Sequence, residues 1–158
     1  VKSATVKTWV EILATVGYIG KWPIGPGTMG TLAAVPVAWL FAQVGDVFYL
    51  AATLVLAALS IWVAESYERL FVTHDSKEIV IDEFVGGLIA FTFLESWTAW
   101  VAAFVFFRIL DIFKPFPVGW ADKKIPGGLG VVADDILAGI ITSVAIQVLM
   151  AKTQVFTL

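Results

Sequence analysis

Two acidic doublets sit inside apolar stretches with helical character, and they constrain this chain more than any other feature. One is Asp82-Glu83 in Ile79-Val80-Ile81-Asp82-Glu83-Phe84-Val85-Gly86-Gly87. The other is Asp134-Asp135 in Val131-Val132-Ala133-Asp134-Asp135-Ile136-Leu137-Ala138-Gly139. A carboxylate facing lipid costs on the order of 2.5–3.5 kcal/mol on insertion scales. Four of them in two adjacent pairs make a poor membrane anchor, so they imply a shared partner inside the protein. Clustered carboxylates suit a hard divalent cation such as Mg²⁺, and that ion suits phosphate chemistry.

The rest of the chain reads as a membrane protein. Of 158 residues, 59% are hydrophobic and only 15% charged, against about 25% charged in a typical soluble domain. Mean hydropathy is +0.91. Seven Trp and twelve Phe fit the aromatic anchoring found at headgroup level. The chain has no cysteine, which excludes thiolate catalysis and Cys-bound zinc. Its single histidine, His74, excludes a multi-His metal site within one chain.

The pattern predicts an all-α, polytopic membrane helix bundle forming a single membrane domain over 1–158. An amphipathic segment over 1–21 carries Val6, Trp9, Val10 and Leu13 at helical spacing, and either lies on the membrane or packs on the bundle. It does not read as a secretory signal, because Lys2, Lys7, Glu11 and Lys21 interrupt any apolar core. Five spans follow, at about 28–45, 47–64, 79–94, 98–113 and 129–150. Several are shorter than the ~20 residues a full crossing prefers. Short turns at 45–46 and 95–97 impose antiparallel hairpins, and the longer connections are 65–78 and 114–128. Each acidic pair is followed by small residues, Gly86-Gly87 and Ala138-Gly139, one turn along the same face. Those residues predict that two helices cross closely just beyond their acidic pairs.

Nine of the ten basic residues fall on one side of this arrangement, and only Lys152 falls on the other. The positive-inside rule therefore puts the N-terminus and both long connections in the cytoplasm. Counting helical rise, the charged groups of the third, fourth and fifth spans lie roughly 3–9 Å inside their cytoplasmic ends. Asp82, Glu83, Asp111, Asp134 and Asp135 are thus candidate catalytic groups at one level. Asp82, Glu83, Asp134 and Asp135 are the candidate metal ligands, with the division of roles inside each doublet left open. Ion pairing with Arg108 or Lys114 is the alternative role for Asp111. Arg108 and Lys114 are candidate phosphate ligands, one a fork and the other a point charge, although Lys114 at a span end also suits snorkelling. Thr28, in the breaker-rich Gly25-Pro26-Gly27-Thr28-Met29-Gly30-Thr31 segment, is placed to hold an anion or to cap a helix. His74 is a further candidate on the second connection.

Four motifs in order resemble the phosphatidylglycerophosphatase A family. They are Pro26-Gly27-Thr28-Met29-Gly30-Thr31, Ile79 to Gly86, Phe107-Arg108-Ile109-Leu110-Asp111-Ile112-Phe113-Lys114-Pro115-Phe116-Pro117, and Gly127-Gly128-Leu129-Gly130 leading to Asp134-Asp135-Ile136-Leu137-Ala138-Gly139. Thr31, where Ser is common, keeps the hydroxyl. The resemblance implies a Mg²⁺-dependent lipid phosphatase of the bacterial inner membrane that converts phosphatidylglycerophosphate to phosphatidylglycerol and feeds cardiolipin synthesis. The expected partners are the phospholipid substrate and membrane lipids, with self-association left open and no nucleic acid. Other phosphatase routes lack their residues: a Cys-x5-Arg site, an Asp-x-Asp start and a Pro-Ser-Gly-His segment are all missing. Direct attack by water activated at the cation is therefore expected. The competing class is a small oligomeric cation-coupled transporter, since buried carboxylates also mark ion pathways. Such a pathway needs charges through the membrane depth, and the outer halves of these spans carry none.

Overall fold

Proline and glycine set the first boundary of the bundle. In the computed structural model, which describes residues 2–73 and 76–152, α2 (Pro26–Val44) starts with Pro26 just inside a left-handed Gly25, at φ 60°. Proline is pre-organised for a first helical turn and forfeits only an N–H that has no helical partner there. Before it come α1 (Lys2–Ala14) and a 3-10 turn at Ile19–Lys21. Then follow α3 (Asp46–Phe71), α4 (Ile81–Ala90), α5 (Trp97–Phe113), α6 (Val118–Lys124) and α7 (Gly127–Lys152). No strand occurs among the described residues, so the all-α class is as expected.

The helix lengths differ from those of the five spans predicted. By length and composition, α2, α3 and α7 are long and apolar enough to cross a membrane. At 17 residues, α5 stands at the lower edge of the spanning range of about 17–25. At 10 residues, α4 rises only about 15 Å. It is a half-length helix that starts beside α7 and ends inside the protein. The turn after it places Phe93 at φ 60°. Its end carbonyls lie far from water and need protein donors. They have them. Leu88 O accepts from the Tyr49 hydroxyl at 2.6 Å and from Thr92 Oγ1 at 3.3 Å. Thr92 O accepts from Gln147 Nε2 at 3.4 Å, and Leu94 O from Trp100 Nε1 at 3.0 Å. The connection predicted as loop over 114–128 contains α6, and α3 runs to Phe71, well past its expected end.

The amphipathic segment divides its apolar residues between two surroundings. Val10 and Ala14 are fully buried against Val63, Ala64 and Tyr67 of α3, whereas Val6, Trp9 and Leu13 face outward. The segment is not one continuous helix. Val16, Gly17 and Tyr18 all adopt positive φ after Ala14, and Thr15 Oγ1 accepts from the Tyr18 amide at 2.9 Å. Lys21 then pairs with Glu11, folding the turn back on α1.

The core of the bundle is α4, held against α7, α2 and α3. Its approach to α7 relies on glycine. A Cβ on Gly139 would lie 2.5 Å from Gly86 O, and one on Gly86 would lie 2.7 Å from Phe107 Cζ and 2.8 Å from Asp135 O. The two helices therefore cross with backbone against backbone, just past the acidic doublets. Below the crossing, Phe107, Leu110, Val118 and Ala138 join α5, α6 and α7.

Filling this crossing should be costly. Gly139→Val is expected to lower the melting temperature of purified protein in detergent, with a loss of about 1–3 kcal/mol or more from overpacking. An exposed control, Ile140→Val, should leave it within about 0.5 kcal/mol. Equal melting temperatures for both variants would remove the close crossing as a constraint.

Candidate metal and phosphate site

The close crossing of α4 and α7 puts two acidic helix segments at one level. Asp82 and Glu83 occupy the first turn of α4, where free backbone N–H groups and the helix dipole favour negative charge. Asp135 faces them from α7. One carboxylate oxygen each from Asp82, Glu83 and Asp135 lies within 4.8 Å of the others. Asp82 and Asp135 are 8% and 3% exposed. Each of the three has a buried oxygen without a hydrogen-bond partner: Asp82 Oδ1, Glu83 Oε2 and Asp135 Oδ1. A buried polar atom left unpaired is expensive, and a buried charge more so. Three carboxylates this close, each with such an oxygen, fit a hard cation, whose ligands are oxygens.

The second member of the α7 doublet has a different environment. Asp134 Oδ2 accepts from Lys114 Nζ at 2.8 Å, and its Oδ1 accepts from the Asp135 amide at 3.0 Å. The structure thus separates the doublet: Asp135 joins the carboxylate trio and Asp134 joins a lysine. Of the four candidate metal ligands, Asp82, Glu83 and Asp135 come together and Asp134 stands apart from them.

The cations come from the end of α5. Arg108 forms an ion pair with Asp111 one turn on, and both side chains are nearly buried. Its Nη1 also reaches Thr31 Oγ1 at 3.5 Å, while its Nε has no partner. Lys114 ends α5 in a left-handed conformation at φ 45°. Its Nζ donates to Asp122 Oδ1 of α6 at 2.5 Å and to Asp134. Burial works against the lysine's charge, and the two carboxylates outweigh it, holding the ammonium above the usual lysine range.

These groups line one open cleft of about 290 Å³, together with Gly25, Pro26, Gly27, Ser76 and Lys77. Gly27 matters because a Cβ there would overlap the Glu83 carboxylate and lie 3.3 Å from Arg108 Nη2. The first turn of α2 therefore closes directly over the charged groups. Thr28 is not among the lining residues. Nor does it cap α2, whose N-cap is Gly25. The hydroxyl that touches the site is that of buried Thr31, which donates to Gly27 O at 3.1 Å and accepts from Arg108. His74 lies outside the described residues.

Sequence reasoning missed Asp122, Lys77 and Gly27. Asp122 lies in a stretch read as loop, and only its place eight residues after Lys114 brings it back by way of α6. Lys77 precedes the Asp82 doublet and was counted only for topology. The signal for Gly27 was the Pro-Gly-Thr run, which shows a breaker but not what crowds against it.

Comparison with known proteins accounts for these features together. Residues 12–150 match the family described as Phosphatidylglycerophosphatase A. The chain is 39% identical over 135 residues to the phosphatidylglycerophosphatase A of Escherichia coli strain K12, covering 83% of this chain and 78% of that protein. It is 36% identical over 118 residues to that of Haemophilus influenzae, covering 73% and 72% of the two chains. It is also 32% identical over 151 residues to a Bacteroides thetaiotaomicron protein provisionally named a phosphatidylinositol-3-phosphatase, covering 89% and 94%. No solved structure matches. The family match spans all four charged helix ends of the cleft, from the start of α2 to α7. The chain belongs to the phosphatidylglycerophosphatase A family, a family of phosphoric monoester hydrolases.

Proposed function

We propose that this protein hydrolyses the terminal phosphomonoester of phosphatidylglycerophosphate, giving phosphatidylglycerol and phosphate, at the cytoplasmic leaflet of a bacterial inner membrane. The observation that carries the chemistry is the close trio of Asp82, Glu83 and Asp135 carboxylates, each with a buried oxygen that has no hydrogen-bond partner. They would hold Mg²⁺. A divalent cation bound there supplies Lewis acidity, lowering the pKa of a coordinated water and offsetting charge on phosphate oxygens. The choice of phosphatidylglycerophosphate follows the named activity of the E. coli and H. influenzae relatives.

The chain's own residues then have separate tasks. Arg108 holds the phosphate, with Asp111 fixing the direction of its guanidinium. Lys114, at the end of the same helix, lines the same cleft. Gly27 lets the α2 backbone close against the Glu83 carboxylate and the Arg108 guanidinium, walling that side of the cleft. Water attacks phosphorus, the bond from phosphorus to the glycerol oxygen breaks, and the lipid keeps that oxygen as its new hydroxyl, which takes up the proton the attacking water gives up. The cleft opens at the bundle end where α3 and α5 finish and α4 and α7 begin. A lipid phosphate at headgroup level reaches it without the acyl chains leaving the bilayer.

Orientation is supported by charge. Lys21, Arg69, Lys77, Arg108, Lys114, Lys123 and Lys124 lie at the cleft end of their helices or connections, while Lys152 ends α7 at the opposite side. Positive residues collect on the cytoplasmic side.

Activity is expected to vanish on removal of divalent cations and to return with Mg²⁺, measured as phosphate release from phosphatidylglycerophosphate in mixed micelles. Asp82→Asn, Glu83→Gln and Asp135→Asn should each cut turnover by about 100-fold or more and weaken Mg²⁺ activation, because ligand loss costs at least what loss of a supporting contact does. Asp134→Asn should lower turnover while leaving the Mg²⁺ concentration for half-activation near its original value. Full turnover in metal-free buffer would refute the cation. A shift in half-activation for Asp134→Asn as large as that for Asp135→Asn would refute the division of the doublet.

The chain has no cysteine of its own, so topology is testable on a clean background. Cysteine at Lys123, exposed on α6, should react with a membrane-impermeant thiol reagent only in inverted vesicles, and cysteine at Glu95 only in right-side-out cells. The opposite pattern would reverse the orientation.

A further inference from the structure

Two carboxylates hold one lysine at the edge of the cleft, and they differ in kind. Lys114 Nζ lies 2.5 Å from Asp122 Oδ1 and 2.8 Å from Asp134 Oδ2. Asp134 is buried, with its side chain 5% exposed, and its other oxygen is occupied by the Asp135 amide. Asp122 and Lys114 have side chains about one-third exposed. The lysine backbone is locked: it takes a left-handed conformation at the end of α5, and a Cβ on Gly119 of α6 would come 3.4 Å from Lys114 Cβ. From this fixed backbone position the ammonium bridges a buried acid on α7 and a water-accessible acid on α6.

We propose that Asp122 is a positioning residue that acts as an exchangeable counter-ion for Lys114, giving way when the substrate phosphate arrives and returning to displace the product phosphate. This rests on the placement of the phosphate beside Lys114 given above. An ammonium carries three donors. Two of them are used by Asp122 and Asp134. A phosphomonoester oxygen approaching from the cleft meets Asp122 as a direct competitor, because both are anionic acceptors reached from solvent. Exchange of one accessible anion for another keeps the outer side of the ammonium paired while Asp134 holds its inner side. Asp134 cannot take this part, since both its oxygens are engaged and it is shielded from water. Asp122 also opposes retention of free phosphate, an anion released into a cleft lined by three basic residues, Lys77, Arg108 and Lys114. The exchange is one of ion pairs only, with no bond to phosphorus formed or broken by Asp122.

The sign of one variant separates this role from mere support of the lysine. With Asp122→Asn, inorganic phosphate should inhibit more strongly, its inhibition constant falling by about five-fold, the scale of one partly exposed ion pair. KM for phosphatidylglycerophosphate should fall with it, and kcat should fall because product leaves more slowly. Asp122→Glu, which keeps the charge, should restore both constants toward their original values. Asp122→Ser removes the same charge from a smaller side chain and serves if the Asn variant accumulates poorly. An inhibition constant that stays the same or rises in the charge-removing variant would overturn the proposal, because a residue that only steadies Lys114 weakens phosphate binding when lost. Lys114→Gln tests the underlying placement separately, and inhibition by inorganic phosphate should weaken. If it does not, the phosphate is not held at Lys114 and both ideas fall. If it does while Asp122→Asn fails to strengthen inhibition, only the counter-ion role falls.

Discussion

The close crossing of α4 and α7 is the contact on which the rest of the structure depends. Gly86 and Gly139 bring the two backbones so near that a single Cβ on either helix would overlap its neighbour. That approach sets the level of the first turn of α4 against α7, and so sets the distance among Asp82, Glu83 and Asp135. Carboxylates repel one another and resist burial. Without rigid packing behind them they would turn outward to water. The glycine crossing, with Phe107 wedged beside it, leaves them no such freedom.

A half-length helix follows from the same requirement. Because α4 begins at the site, its other end falls inside the apolar layer, where bare carbonyls are costly. The hydroxyls and amides of Tyr49, Thr92, Ser143 and Gln147 gather around that end and supply donors. These polar residues in otherwise apolar helices have no part in the proposed chemistry. They are what allows a short helix to stop within the protein.

Charge is then distributed so that Arg108 and Lys114 each have an anionic neighbour. Arg108 has Asp111 on its own helix, and Lys114 has Asp122 and Asp134 on two others. Among the described residues, the buried carboxylate oxygens left without partners belong to Asp82, Glu83 and Asp135. The division is economical in geometry: neighbouring residues on a helix point about 100° apart, so Asp134 and Asp135 reach different partners without any bend in α7. A phosphate entering the cleft meets both signs of charge within one small volume.

The sequence by itself determined the all-α membrane class, the identity of the charged helix ends and the glycine-assisted crossing. Each of these is carried by local pattern: apolar runs too long and too uncharged for a soluble domain, acidic pairs inside them, and small residues one turn beyond. It also carried the family, through four motifs in order. Only the tertiary structure decided how each doublet is used, because residues adjacent in sequence diverge in space and their partners lie on other helices. Asp134 looked equivalent to Asp135 until Lys114 and Asp122 were placed beside it. Thr31 rather than Thr28 touches Arg108, since Gly25 and not Thr28 begins the helix and one turn separates the two hydroxyls. The shortness of α4 was hidden for a related reason. Phe91, Thr92, Phe93 and Leu94 continue the apolar run without a break, and only long-range hydrogen bonds from α3, α5 and α7 make a turn there stable.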